Sequence, residues 1–138
     1  MIRWLAIILL TICAHAAVAE TLRVKVVVHA NYLDTTITAS GLRNIFMGAG
    51  SSSGFEPINL PIEHPARVVF NTKVIGLTES RIQSYWAQMR FSGRAKPPQE
   101  LPSTESVINY IQNNPFAMSY VPIDTPLPEN VVVIFSTD

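Results

Sequence analysis

The chain has 138 residues, 48% of them hydrophobic and 14% charged, and its ten Lys and Arg balance its ten Asp and Glu. That balance excludes the strongly basic surface on which nucleic-acid binding rests. A single cysteine, Cys13, excludes a disulfide framework and a Cys-based zinc site.

The N-terminus has the layout of an export signal: Arg3 supplies the positive region, Trp4 to Ile12 the apolar core, and Ala17-Val18-Ala19 a small-x-small cleavage site. The apolar run is shorter than the roughly 20 residues that a membrane-spanning helix needs, so no stable span is expected after cleavage. Ile12 stands before Cys13 where a lipoprotein signal places a small residue, which argues against lipidation. Residues 1–19 are therefore read as a signal peptide and residues 20–138 as one compact domain, periplasmic or secreted. With Cys13 removed, that domain holds together by packing.

Leu22 to His29 begins as apolar/polar alternation and ends as a β-branched run, the pattern of a strand buried at one end. A polar connection follows, and Thr38 caps a short helix carrying Leu42, Ile45 and Phe46, ended at Gly48. Gly48 to Gly54 reads as a solvated, mobile loop. Pro57 to Pro61 is short and bounded by prolines, which suits an edge strand or extended segment rather than a central strand. His64-Pro65 opens a helix that runs to Gly76, with Pro65 in its first turn. Thr78 starts the next, in which Ile82, Tyr85, Trp86 and Met89 share a face at i, i+3, i+4 and i+7. That stripe is read as core packing. Gly93 permits the exit, and Pro97-Pro98 extend the chain toward a further helix capped by Ser103, with Val107, Ile108 and Ile111 facing inward. Ala117 to Val121 and Val131 to Phe135 are two closing strands separated by a proline-rich loop. Strands alternating with helices imply an α/β layer fold with a mixed sheet.

Three segments carry a family resemblance: Leu42-Arg43-Asn44-Ile45-Phe46-Met47-Gly48, Tyr85 to Pro98, and Asn114-Pro115-Phe116-Ala117-Met118-Ser119-Tyr120-Val121. Together they resemble the second lobe of periplasmic phosphate-binding proteins, and more closely the short phosphate-binding-protein-like sequences of bacteria. The resemblance implies a single periplasmic-binding-protein-like lobe. Within it, Trp86 and Phe91 are expected to pin the end of the long helix. The related short sequences carry a Lys after the first Gly of the 48–54 loop and a Trp near its end; here Ala49 and Phe55 stand there, so roles of that Lys or Trp do not transfer.

True phosphate-binding proteins open the helix after the Pro-bounded strand with an Arg-Ser-Asp-Gly-Ser-Gly-Thr type of run, whose hydroxyls and N–H groups hold phosphate oxygens. This chain has Leu60-Pro61-Ile62-Glu63-His64-Pro65-Ala66-Arg67 instead. No hydroxyl is present, Pro65 lacks an N–H donor, and Glu63 adds a negative charge. His64, Ala66 and Arg67 are the residues left to hold any oxyanion there.

The other candidate chemistries are thin. Gly48 to Gly54 lacks the Gly-Lys-Ser/Thr of a phosphate loop and follows a helix rather than a strand. His29 and His64 come from distant segments without metal-ligand spacing, no Gly-x-Ser-x-Gly elbow is present, and no cofactor motif is seen. Arg90, Arg94 and Lys96 form one basic cluster, read as a solvated loop. The sequence thus favours a non-enzymatic, exported binding or interaction module, docking on an envelope protein or on itself. Its rival is a solute-binding component for phosphate or another oxyanion of an ABC-type transport system, completing its cleft with a second lobe or copy.

Overall fold

The computed structural model describes residues 21–138; the signal peptide read at residues 1–19 lies outside the described residues. Five strands form one sheet in the order β3-β2-β4-β1-β5. Strand β1 (Val24–His29) runs antiparallel to both of its neighbours, β4 (Ala117–Pro122) and β5 (Val131–Ser136). Its valines at 24, 26, 27 and 28 are fully buried, as a β-branched run with a covering layer on each face demands. Strand β2 (Glu56–Asn59) runs parallel to β4 and to the two-residue β3 (Gln99–Glu100), so the sheet is mixed.

The expected edge position of the Pro57 segment is corrected here, because β2 has neighbours on both sides. Glu56 N–H donates to Phe116 O on the β4 side, and strand alternation turns the Pro57 nitrogen the other way. There β3 pairs only from Ile58 onward, so the missing donor of Pro57 leaves no gap in the ladder. Strand β3 has no sequence signal of its own.

Helix α1 (Ala39–Asn44) is capped by Thr38 Oγ1 and runs into a π-helical turn (Ile45–Ala49) broken at Gly48. The following Gly/Ser stretch is not an irregular loop. Residues Gly50–Ser53 form a helical turn, α2, whose Ser52 and Ser53 hydroxyls donate back to the carbonyls of Ala49 and Gly50. Helix α3 (Pro65–Phe70) likewise continues into a π-helical turn (Asn71–Ile75) ending at Gly76.

Helix α4 (Glu79–Ser92) starts at the Thr78 cap. It buries Ile82 and Trp86, with Tyr85 and Met89 packed beside them, as the periodicity predicts. It stops because Gly93 takes a left-handed conformation (φ 69°), which returns N–H groups to the carbonyls of Met89 and Arg90. Phe91 does not pin this end: it is 97% exposed, so the expectation of a paired Trp86/Phe91 anchor is corrected to Trp86 alone. Helix α5 (Thr104–Asn113), capped by Ser103, buries Val107 and Ile111 and leaves Ile108 half-buried.

Helices α3 and α5 both pack on β1 and β4. The core between α1, α3 and the sheet is aromatic. Phe70 stacks on Tyr120 with centroids 4.0 Å apart and rings 7° from parallel, and Phe46 meets Phe70 edge-on at 4.7 Å. No helix among the described residues is long and apolar enough to cross a membrane.

Candidate functional site

The sequence places any oxyanion ligand at the start of α3, on His64, Ala66 and Arg67. The structure brings these three together and turns their polar groups inward. His64 is the helix N-cap, its Nδ1 accepting the Ala66 N–H at 3.1 Å, while its carbonyl takes the Arg67 N–H at 3.0 Å. Pro65 has no N–H to offer. The first turn is therefore closed by its own cap.

Arg67 is only 3% exposed, and each of its three guanidinium nitrogens donates to a partner within the chain. Its Nε and Nη2 reach the two oxygens of Glu79 at 2.6 and 3.1 Å, a bidentate fork. Its Nη1 donates to Leu60 O at 2.9 Å and to Glu100 on β3. Asn71 and Gln83 also donate to Glu79. Tyr120 lies in the same network, accepting the Leu60 N–H at 3.3 Å and donating to Asn59 Oδ1 at 2.8 Å. No buried side-chain polar atom among the described residues lacks a partner.

Titration follows from these contacts. Burial acts to raise the Glu79 carboxyl, but the hydrogen bond from Gln83, the bonds and charge of Arg67 and the bond from Asn71 outweigh it and hold the pKa below its ordinary value. For Arg67 burial acts downward, and the two carboxylates prevail and raise it. Burial pushes the Tyr120 hydroxyl up, with the Leu60 N–H and the Arg67 charge opposing only in part, so it stays a donor. The network ties β2, β3, α3 and α4 together.

The structure also assembles what the sequence left scattered. Gly50, Ser51 and the start of β2 (Glu56, Pro57) face the strap Arg94 to Gln99 across a cleft of about 420 Å³, floored by Ile45, Phe46 and Trp86. Gly50 is required at this wall, since a Cβ there would lie 2.9 Å from Pro57 Cδ and 3.1 Å from Phe55 O. More than thirty residues separate the two walls along the chain, so no local motif marks the cleft. Among the described residues no three His, Cys, Asp or Glu side chains come together as a metal-ligand set. His29 Nδ1 accepts the Asn31 N–H and serves as a local cap.

No protein-family model matches the sequence, and no curated protein matches it. Among solved structures the fold is similar to that of an ABC-type phosphate transport receptor from Vibrio cholerae, with a TM-score of 0.59 and 15% sequence identity over 82% of this chain. The matched region is 45% of the receptor, so this chain spans less than half of that protein's length. At this identity the likeness is one of fold. The five-stranded mixed sheet flanked by helices is a periplasmic-binding-protein-like lobe.

Proposed function

We propose that this chain is an exported, non-enzymatic binding or interaction module built on one lobe of the binding-protein fold, and that the α3 start no longer holds phosphate in the manner of phosphate-binding proteins. The observation that carries this reading is the state of the donors at α3: Ala66 N–H, Arg67 N–H and the Arg67 guanidinium all have partners within the chain. An arriving oxyanion would have to displace a cap or a carboxylate. The partner is an envelope protein or a second copy of the chain, and the near-neutral charge argues against nucleic acid.

A second reading is favoured by the fold likeness to a phosphate transport receptor. In it the chain is the solute-binding component for phosphate or another oxyanion of an ABC-type transport system, with His64, Ala66 and Arg67 rearranged around the ligand. Calorimetric titration with phosphate and sulfate, alongside the mass in solution, separates the two. Submillimolar binding of either anion, abolished by Arg67→Met in a variant that still folds, overturns the first reading. A monomer that binds neither counts against the second.

A further inference from the structure

The cleft beside α2 lies at the start of β2, whereas α3 follows the end of the same strand, so it is separate from the degenerate phosphate position. Its chemistry is two-sided. Its apolar part is made by the half-buried Pro57, Pro97 and Pro98 at the sides, with only the edges of the buried Phe46 and Trp86 reaching it from below. Two cations, Arg94 and Lys96, line its strap; both are exposed and neither forms an ion pair among the described residues. The one acidic residue in the lining, Glu56, already accepts the Tyr110 hydroxyl at 2.8 Å. The lining therefore carries a net charge of +1, two cations against one carboxylate.

The strap is held at both ends. Arg94 N–H closes the α4 cap on Met89 O, and past the prolines Gln99–Glu100 pairs with β2 while the Glu100 carboxylate is gripped by Arg67. Pro97-Pro98 between them is stiff. A strap whose backbone is fixed beforehand leaves only the two cationic side chains to be ordered on association.

We infer that this cleft takes a small amphipathic carboxylate, with an apolar body against Pro57, Pro97 and Pro98 and one anionic group between Arg94 and Lys96. Its volume of about 420 Å³ falls within the size range of small-molecule sites, roughly 300 to 1,000 Å³. Inorganic phosphate would leave the proline walls wet, and a neutral apolar ligand would make no use of Arg94 and Lys96. This inference rests on the reading of the chain as a binding module, but on a different site from α3.

The test is an NMR titration of the full chain with 3-phenylpropionate, its uncharged amide 3-phenylpropanamide, and inorganic phosphate. The carboxylate is expected to saturate shifts of the Trp86 indole N–H and of the Gly50 and Ala95 amides, with the amide analogue weaker by about five- to tenfold, the effect of two exposed charge contacts. The double variant Arg94→Gln/Lys96→Gln should weaken carboxylate binding by the same factor and leave the unfolding midpoint unchanged. Equal affinity for acid and amide, indifference to the double variant, shifts confined to other surfaces, or no saturation at tens of millimolar each overturn the inference. Phosphate moving the Ala66 and Arg67 amides would instead overturn the loss of the α3 site and leave the cleft standing.

Discussion

Replacing Arg67 by Met tests whether the α3 start is a structural joint or a vacant ligand site. Met keeps much of the stem volume and removes every guanidinium bond: the fork to Glu79, the bond to Leu60 O and the tie to Glu100. Breaking a buried pair by removing one partner costs about 3–5 kcal/mol, mostly through the charge left behind. Glu79 keeps 24% side-chain exposure and Glu100 46%, so water relieves part of this and the Glu100 contact adds little. A loss of about 3 kcal/mol is expected. With a urea dependence of about 1.5 kcal/mol per molar for a domain of this size, the unfolding midpoint at pH 7 should fall by about 2 M. Arg67→Lys should recover less than half, because an ammonium cannot make the fork. Adding Glu79→Gln to Arg67→Met should cost less than the two single changes together, by at least about 1 kcal/mol, since the stranded charge is gone. A midpoint for Arg67→Met within 0.5 M of the parent, using the roughly linear urea dependence above, or strictly additive effects, would refute the structural assignment.

Other perturbations have equally definite outcomes. The folded Glu79 lies below its ordinary 4.5, so its contribution is complete above that pH and is lost as pH falls through the lower folded value. Urea midpoints should hold from pH 7 to 5 and drop below about 4.5, and Glu79→Gln should be less stable at neutral pH but flatter in acid; an unchanged acid slope would contradict the linkage. Phe91→Ser should leave the midpoint within about 0.5 kcal/mol of the parent, whereas Trp86→Ala should cost about 3–5 kcal/mol, both by urea denaturation. Tyr120→Phe strands the buried Leu60 N–H and takes a donor from the half-buried Asn59 Oδ1, and should cost about 1–3 kcal/mol. Gly50→Ala forces Pro57 and the Phe55 carbonyl away and should cost about 1–3 kcal/mol, with amide shifts confined to the cleft walls.

Elements with a strong local signal are visible in the sequence. Thr38, Thr78 and Ser103 each cap the helix their position predicts, and the β-branched run at Val24–His29 forms a buried interior strand. What fails does so where a partner distant in sequence decides. Strand β3 exists because β2 offers a free side and Arg67 holds Glu100, neither of which Gln99-Glu100 announces. Pro57 sits inside the sheet because its nitrogen faces a stretch where β3 is not yet paired. The family resemblance implies Phe91 as an anchor, yet Gly93 ends α4 with Phe91 on its solvent side. At the candidate site the sequence names His64, Ala66 and Arg67 and cannot show which way they face, since that depends on Glu79 and Glu100, 12 and 33 residues further on.

The same distant carboxylates bear on where an anion would go. Arg67 with Glu79 and Glu100 is a cluster of net charge −1, and Glu63 stands exposed just before the cap. An oxyanion approaching α3 therefore meets negative potential and competes with carboxylates that already fork the guanidinium. Protonating Glu79 would remove part of that obstacle, but its lowered pKa confines this to acid conditions in which the joint between α3 and α4 also weakens. Stability and any phosphate binding at α3 would thus draw on the same guanidinium. At the opposite end of β2 the balance is reversed. Arg94 and Lys96 hold up no part of the fold through ion pairs among the described residues, so an anion can use them without loosening the core. If the lobe binds an anion without unfolding locally, the cleft is where its charges permit it.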